Sequence, residues 1–291
     1  MAPIPFSSSV YLATEAILAN GSVEQKEKWL PKLATGEAIG TFALAEGSGR
    51  PSAELLNTRL DAGKLTGKKL PVPDGNIADF AVVVAKSDTG DGASLALVDL
   101  NQDAVTRRSV RTLDFSRGHS SMEFTGAEAE ILGVDGSGWS AMEALMDRAA
   151  VMFAWEQVGI ADAALEQARD YAMGRYAFGR AIASYQAIKH KLADMYVKNT
   201  LARSNCYYGA WALNSDSSEL ALAAATARVG AIQASVNAAQ ENVQTHGGMG
   251  FTWEFDCQFF YRRAKLLSVN IGSEGFWQDK LITAYEQSNV A

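Results

Sequence analysis

Residues 175–195 read RYAFGRAIASYQAIKHKLADM, and the interpretation of the C-terminal half of the chain depends on this stretch. We expect a helix to end near Arg175, a turn at Phe178 and Gly179, and a second helix that contains Gln186. A guanidinium beside a glycine turn can bind a diphosphate through two parallel hydrogen bonds. Its simpler role is to satisfy the carbonyl end of a helix, and the sequence leaves both roles open.

A second stretch of interest follows an alanine-rich segment and reads ENVQTHGGMGF, residues 241–251. Its three glycines lie within four positions, which is more than one helix C-cap requires. Bare backbone N–H groups at Gly247 and Gly248 can approach a phosphate or a ribose closely, and the Gln244 amide can donate to it. The alternative is a tight turn between helices, and His246 could equally stabilise the turn or bond a ribose or adenine.

Most of the C-terminal half has a helical period. Four stretches sustain it, and short turns join them, so we expect a four-helix bundle. Alanine in the third stretch indicates close packing between helices. The predicted helices cover residues 139–173, 184–213, 219–245 and 254–286.

The residues before the predicted bundle show two other sequence patterns. From about 38 to 133, short runs rich in Val, Leu, Phe and Thr are separated by turn clusters such as PDGN, which is typical of an antiparallel sheet domain. Residues 7–36 predict two short helices with little of their own to pack against, as at the end of a helical domain.

Composition limits the function classes. The 291 residues carry a net charge of -7 and contain no basic run, which argues against a nucleic-acid surface. The two cysteines, Cys206 and Cys257, lie far apart and favour a reducing cytoplasm, and the three histidines lack zinc-ligand spacing. The N-terminus lacks the basic region of a signal peptide, and no stretch is apolar enough to predict a membrane span.

Several ordered motifs together resemble the acyl-CoA dehydrogenase family. In the C-terminal half these are RxxFGxxxxxxxQ, LADM, QxxGGxGF and RRAK, and GSVEQKEKWLPKLATGEAIGTFALAE is similar to the family segment that joins its helical and β domains. The resemblance implies an α+β fold with the remnant of an N-terminal helical domain, a middle antiparallel β domain and a C-terminal four-helix bundle. The expected boundaries are 1–36, 37–135 and 136–291.

The resemblance also implies a cofactor and partners. Family members use FAD to oxidise the Cα–Cβ bond of an acyl-CoA and pass electrons to an electron-transferring flavoprotein. The FAD lies at an interface in a dimer or tetramer, with its ring on one subunit and its diphosphate and adenosine on the neighbour's bundle. The positions here that match those reaching a partner's FAD are Arg175, Phe178, Gln186, Gln244, Gly247 and Gly248.

The catalytic base is not identified by the resemblance. Most family members place a glutamate shortly after the R-x-A-K motif, where this chain has Ile271, and some use the first bundle helix, where it has Ala149. Neither side chain can accept a proton. Asp147 is the best nearby substitute, although a helix-terminal role or pairing with Arg148 is the simpler interpretation. Glu156 and Glu274 are also near.

The ring-contacting positions of the β domain differ as well. The family carries Thr-Glu-Pro after the first strand and Trp-Ile-Thr or Trp-Ile-Ser on a later one, where this chain has Ala45, Pro71 and Pro73. Proline lacks an N–H and alanine a hydroxyl, so this half-site predicts weaker flavin contacts.

Three hypotheses remain open. The chain is an acyl-CoA dehydrogenase with a displaced base, or a non-catalytic subunit that completes the FAD site of a Glu-bearing homologue in a hetero-oligomer, as in bacterial enzymes acting on steroid side chains. The third is a flavin-free scaffold, which the retained arginine and glycine motifs disfavour.

Overall fold

The computed structural model describes residues 2–87 and 92–288. Residues 1, 88–91 and 289–291, which fall within the first, the middle and the last predicted domain respectively, lie outside the described part. The chain forms two compact units, Ala2–Ala149 and Ala150–Ala291.

The first unit begins with helices that pack on a sheet. A π-helix, Ser7–Thr14, continues into α1, Glu15–Asn20, and α2, Val23–Thr35, follows. A capping box between Ser22 and Gln25 starts α2, and Gly36 in a left-handed conformation ends it. The Trp29 ring lies 4.3 Å from the Phe80 ring of the sheet, so these helices pack against the strands.

Eight strands form one sheet. They are β1 Gly40–Ala43, β2 Arg59–Asp61, β3 Lys64–Pro73, β4 Phe80–Ser87, β5 Ala93–Asp99, β6 Val105–Ser109, β7 His119–Glu128 and β8 Glu130–Leu132. Their order is β6-β7-β3-β2-β4-β5-β8, and β1 also pairs with β4. Most neighbours are antiparallel, as predicted, but β1 and β2 each pair with β4 in parallel. Valine-rich β4 is buried over six consecutive residues, which suits a central strand.

A buried ion pair connects β3 to the segment after β1. The Lys69 ammonium, fully shielded from solvent, donates to Glu46 Oε1 at 2.9 Å and to the Leu44 carbonyl at 3.0 Å. The same carboxylate accepts from the backbone N–H groups of Asn57, at 2.6 Å, and Thr58, at 3.0 Å. Several donors therefore converge on one carboxylate, which fixes the loop after β1 against β3.

The pKa values of the pair follow from this geometry. Burial raises the pKa of Glu46, but the hydrogen bonds from Lys69, Thr58 and Asn57 outweigh burial and lower it from 4.5 to about 2. Burial lowers the pKa of Lys69 to about 8, against the opposing effect of Glu46. Both groups are therefore charged at neutral pH.

The helices of the C-terminal half are α3 Gly138–Gly174, α4 Gln186–Asn214, α5 Leu220–His246, α6 Cys257–Leu267 and α7 Glu274–Ser288, with a short hairpin of β9, Tyr176–Ala177, and β10, Arg180–Ala181. The predicted fourth helix, 254–286, is divided into α6 and α7. Gly272 has a φ of 117°, which a right-handed helix cannot contain, and Ser273 Oγ accepts from the Phe276 N–H to start α7.

Alanine lets the bundle helices approach closely, as the composition of the third stretch predicts. A Cβ added at Gly209 of α4 would lie 3.3 Å from the Ala227 methyl group of α5. The fully buried Arg228 guanidinium donates to Gln157 Oε1 of α3 and to the Leu267 carbonyl of α6, so one α5 side chain joins three helices.

Lys69→Ala is expected to lower the free energy of unfolding by about 3–4 kcal/mol, because the Glu46 carboxylate would remain buried without its cation. Urea unfolding followed by circular dichroism measures the change. Lys64→Ala is the control, since Lys64 on the same strand pairs with Glu128 at 2.8 Å between two exposed side chains and should contribute little. Equal effects of the two variants would contradict the assigned role of the buried pair.

Glu46 also predicts a pH dependence. Because its pKa falls from 4.5 to about 2 on folding, its contribution to stability is complete above pH 4.5 and is lost as the pH falls toward 2. Glu46→Gln should therefore show a shallower loss of unfolding free energy over this interval. Parallel slopes for variant and wild type in urea titrations would refute the assignment.

Candidate functional site

Residues 175–181, which we name the arginine corner, form a tight hairpin between α3 and α4. α3 ends at Gly174, Arg175 follows, and the Arg175 N–H donates to the Tyr171 carbonyl at 2.8 Å. Phe178 and Gly179 both have positive φ, 53° and 79°, as a two-residue hairpin turn requires. The turn and both flanking helices lie where the sequence predicts them.

Further contacts hold the hairpin against the start of α4. The Arg175 carbonyl accepts from the Ile182 N–H at 2.8 Å, and the Tyr185 hydroxyl donates to the Ala177 carbonyl at 2.9 Å. The Arg180 guanidinium lies 4.0 Å above the Tyr185 ring. The hairpin is thus supported from within, and its tip projects outward, with Phe178 97% exposed.

The segment Gly247–Phe251, which we name the glycine corner, follows α5. Gly247 has φ 59° and ψ −135°, a conformation that only glycine adopts easily. Gly247 and Gly248 are exposed, and a Cβ added to either would meet no atom within 4 Å. Gly250 differs, since its added Cβ would lie 2.4 Å from the Val243 carbonyl oxygen. Gly250 is therefore needed for packing, whereas Gly247 and Gly248 leave an open surface of bare backbone.

An aromatic cluster joins the two corners. The Tyr171 ring of α3 stacks on the His246 ring of α5 with centroids 4.1 Å apart, and Phe255 packs edge-on against both rings. His246 Nδ1 lies 2.8 Å from the Asn242 carbonyl, to which it donates. Burial lowers the pKa of His246, so the ring stays neutral at neutral pH. His246 thus has the turn-stabilising role that the sequence left open.

Sequence reasoning missed Tyr171 and Phe255. Tyr171 lies four residues before Arg175, on the same side of α3, and this spacing is the signal that could have identified it. Because Tyr171 contacts His246, the arginine hairpin and Gly247 lie at the same end of the bundle. Of the six positions predicted to reach FAD, three lie at or just after the arginine hairpin and three lie at the end of α5. These two regions are neighbours in the second unit. The first three are Arg175, Phe178 and Gln186, and the others are Gln244, Gly247 and Gly248.

The polar side chains at these corners are available to a ligand. Arg175, Gln186, the first residue of α4, and Gln244, near the end of α5, are exposed. Within residues 2–87 and 92–288, none of these three side chains has a hydrogen-bond or ion-pair partner. The arrangement offers a guanidinium, two amides and bare glycine backbone, which are the groups that bind phosphate and ribose.

The ring-contacting positions lie in the first unit and offer few donors. The Ala45 carbonyl accepts from the Leu70 N–H at 2.8 Å, and the Pro73 carbonyl accepts from Thr41 Oγ1 at 2.5 Å. Pro71 is exposed and Pro73 half-buried. Backbone pairing therefore uses the carbonyls of Ala45 and Pro73, and the three side chains provide no donor.

The base positions are filled by apolar side chains. Ile271 packs against the buried cluster around Trp277, and Ala149 is fully buried in the first unit. Asp147 is half-buried, and its neighbour Arg148 donates to Glu15 Oε2 at 2.8 Å.

The two other acidic candidates are engaged in structural contacts. Glu156 accepts from Arg263 at 3.3 Å. Glu274 is exposed and accepts from Gln233 at 2.8 Å and Gln278 at 3.0 Å. No carboxylate occupies either expected base position.

Membrane-spanning helices and metal clusters do not occur among the described residues. None of their helices has the length and apolarity needed to cross a membrane. No group of three or more His, Cys, Asp or Glu side chains in this part of the chain could hold a metal ion.

Comparison with known proteins identifies the family. Residues 136–282 match the family described as acyl-CoA dehydrogenase, C-terminal domain, and residues 2–37 match acyl-CoA dehydrogenase, N-terminal domain. The chain belongs to the acyl-CoA dehydrogenase family. An acyl-CoA dehydrogenase of Bacillus subtilis is 34% identical over 274 residues, covering 90% of this chain and 72% of the relative.

Solved structures of family members confirm the predicted fold. Butyryl-CoA dehydrogenase from Megasphaera elsdenii superposes with a TM-score of 0.91 at 25% identity, covering 97% of this chain and 76% of the other. The ChsE4-ChsE5 complex from Mycobacterium tuberculosis gives 0.87 at 25% identity, covering 98% and 76%. The family of oxidoreductases predicted from the motifs is thus confirmed, while the individual site residues stay predictions.

Substitution of two glycines tests the geometry of the corner. Gly248→Ala should leave the melting temperature nearly unchanged, because the added methyl group meets only solvent. Gly250→Ala should cost about 1–3 kcal/mol, since the methyl group must displace the Val243 backbone. Thermal melts of both variants make the comparison, and a large loss in Gly248→Ala would show that the corner is packed rather than open.

Proposed function

We propose that this chain is a subunit of an FAD-dependent acyl-CoA dehydrogenase that converts an acyl-CoA thioester to the 2-enoyl-CoA. Its bundle would hold the diphosphate and adenosine of a flavin whose ring lies mainly on another subunit. One observation carries the proposal: the exposed Gly247 and Gly248 backbone lies beside the Arg175 hairpin, and Tyr171 and His246 hold the two corners together.

The chemistry of the corners fits an adenine dinucleotide. The Arg175 guanidinium can bind a diphosphate through two parallel hydrogen bonds. Gln186 and Gln244 can donate to phosphate or ribose oxygens, and the Gly247 and Gly248 surface admits a group that a side chain would block. Phe178, 97% exposed, offers an apolar surface to a neighbouring subunit or to the cofactor.

FAD, when bound, supplies the acceptor for the hydride that leaves the β carbon of the substrate. A carboxylate must remove the α proton at the same time, and it must lie close to that carbon in a dry site. The assigned role of this chain is to bind and orient the adenylate end. By family resemblance, the electrons pass to an electron-transferring flavoprotein.

The apolar residues at the family's two base positions favour a second, Glu-bearing homologue as the partner. Ile271 and Ala149 cannot accept a proton, and Ala45, Pro71 and Pro73 lack the side-chain hydroxyl or backbone N–H that the ring edge needs. The bundle corners are open, whereas the positions for ring and base lack the required groups. This asymmetry suits a chain that completes the FAD site of another subunit.

Flavin content tests the proposal. Purified with a homologue that carries the glutamate, the chain should yield a yellow complex that reduces a dye in the presence of an acyl-CoA, whereas the chain purified alone should be colourless. Colourless material in both preparations would favour a flavin-free scaffold. Yellow, active material from this chain alone would show that it needs no partner of another kind.

Arg175→Lys should weaken flavin binding by about tenfold, because lysine keeps the charge but loses the paired hydrogen bonds. Flavin release from the complex, followed by fluorescence, measures the change. Arg169→Lys is the matched control, since Arg169 lies on α3 six residues before Arg175 and pairs with Asp170 at 2.8 Å in an exposed position. Unchanged flavin affinity in Arg175→Lys would remove Arg175 from the site.

The second candidate function, an enzyme with a displaced base, rests on Asp147. Asp147 is half-buried and lies two positions before Ala149, the base position on the first bundle helix. Displacing a catalytic base by one helical turn or less can lower the rate by orders of magnitude. Asp147→Asn should leave the turnover of the complex unchanged if the partner supplies the base. Loss of turnover with flavin content retained would instead identify Asp147 as the base.

A further inference from the structure

We propose that a buried polar cluster holds the start of the π-helix on the sheet near neutral pH and releases it in acid, and that His119 is the group that senses the pH. We name it the His119 cluster. Each member is at most 8% exposed. The inference concerns contacts within the first unit and does not depend on the proposed function. The members are Ser7, Ser8, Asp74, Arg117 and His119.

Two serines attach the helix to the cluster. Ser8 Oγ donates to Asp74 Oδ2 at 2.6 Å, and Ser7 Oγ accepts from the Arg117 guanidinium. Asp74 follows β3 and Arg117 precedes β7, and the two segments are joined by the Asp74 N–H, which donates to the Gly118 carbonyl at 2.8 Å. Because both serines are themselves buried, the start of the helix closes over the cluster.

The two ends of the π-helix are held by different interactions. Toward its C-terminus, Leu12 and Ala13 are buried in the apolar core, as is Ile17 of the following α1. The first residues are serines, which have hydrogen bonds in place of apolar burial. A π-helix of eight residues is rare, so its start depends on contacts with the sheet. Loss of the serine bonds should therefore free the start of the helix while its other end stays anchored.

His119 lies among the charged members of the cluster. It is the first residue of β7 and stands opposite Pro73 of β3, and its Nδ1 atom lies 3.4 Å from the Arg117 carbonyl oxygen. The charged groups that act on its ring are Asp74 after β3, and Asp114 and Arg117 before β7. The π-helix contributes no charge, since its sequence is SSSVYLAT. The imidazole therefore titrates among two carboxylates and one guanidinium.

A neutral imidazole suits the closed cluster. Burial lowers the pKa of His119 from 6.5, and Arg117 acts in the same direction, against the opposing effects of the Arg117 carbonyl, Asp74 and Asp114. When the helix start opens, the ring meets water and binds a proton more readily. The closed state is therefore fully stable above about pH 6.5 and loses stability as the pH falls below that value.

Protonation also opposes the bonds that hold the helix. An imidazolium has two N–H donors and a positive charge, both of which need an acceptor or water. Asp74 is an acceptor that acts on the ring, and it already accepts from Ser8. The imidazolium thus competes with Ser8 for this carboxylate, and opening of the helix start admits water to the remaining donor.

Hydrogen exchange followed by mass spectrometry tests the proposal, in the purified protein together with any partner subunit. Exchange is compared at about pH 7.5 and pH 5.5 after correction for the intrinsic effect of pH. At the lower pH, one unit below 6.5, exchange of residues 7–11 should rise by about tenfold, because the open state alone binds the proton. Residues 12–17 should keep their protection.

His119→Gln should abolish this rise, since glutamine can form hydrogen bonds but does not titrate. His190→Gln is the matched control: His190 is exposed on α4, and this variant should keep the rise. Equal exchange of the wild type at both pH values, or a rise that persists in His119→Gln, would overturn the proposal.

An NMR titration of the imidazole signals provides a second measurement that needs no substitution, with only this chain isotopically labelled. The chain has three histidines, so the signals are few. The midpoint for His119 should coincide with the midpoint for opening of the helix start. If the helix start opens over a pH interval in which His119 does not titrate, another group is the sensor and the proposal is wrong.

Discussion

The candidate site depends on the stacking of Tyr171 on His246. This contact, 4.1 Å between ring centroids, connects the end of α3 to the end of α5, and each helix end leads directly into one of the two corners. The bond from His246 Nδ1 to the Asn242 carbonyl fixes the imidazole on its own helix, and Phe255 closes the cluster at its edge. Because the arginine hairpin follows α3 and Gly247 follows α5, this contact places both at the same end of the bundle.

The two halves of the expected FAD site differ in a physically consistent way. On the bundle, an exposed guanidinium, two amides and bare backbone remain accessible, and a Cβ at Gly247 or Gly248 would meet nothing in the chain. In the first unit, Glu46 and Lys69 lie beside Ala45 and Pro71, but the two charges compensate each other, and Glu46 also accepts from adjoining backbone donors. That ion pair preserves the shape of the loop after β1 without offering a donor outward. Internal contacts thus hold both halves, whereas the groups suited to a phosphate or a ribose lie at the bundle positions and not at the side chains of Ala45, Pro71 and Pro73.

Much of this could be predicted from the sequence, since local signals determined it. The hairpin required glycine at Gly179, the strands were Val-rich, and the helical period placed Gln186 in the helix after the turn. The division of the last helix could also have been read from Gly272 and Ser273, but the apolar period of α6 and α7 obscured it. The parallel pairing of β1 with β4 and the Tyr171 contact with His246 could not be predicted, because both depend on residues far apart in the chain.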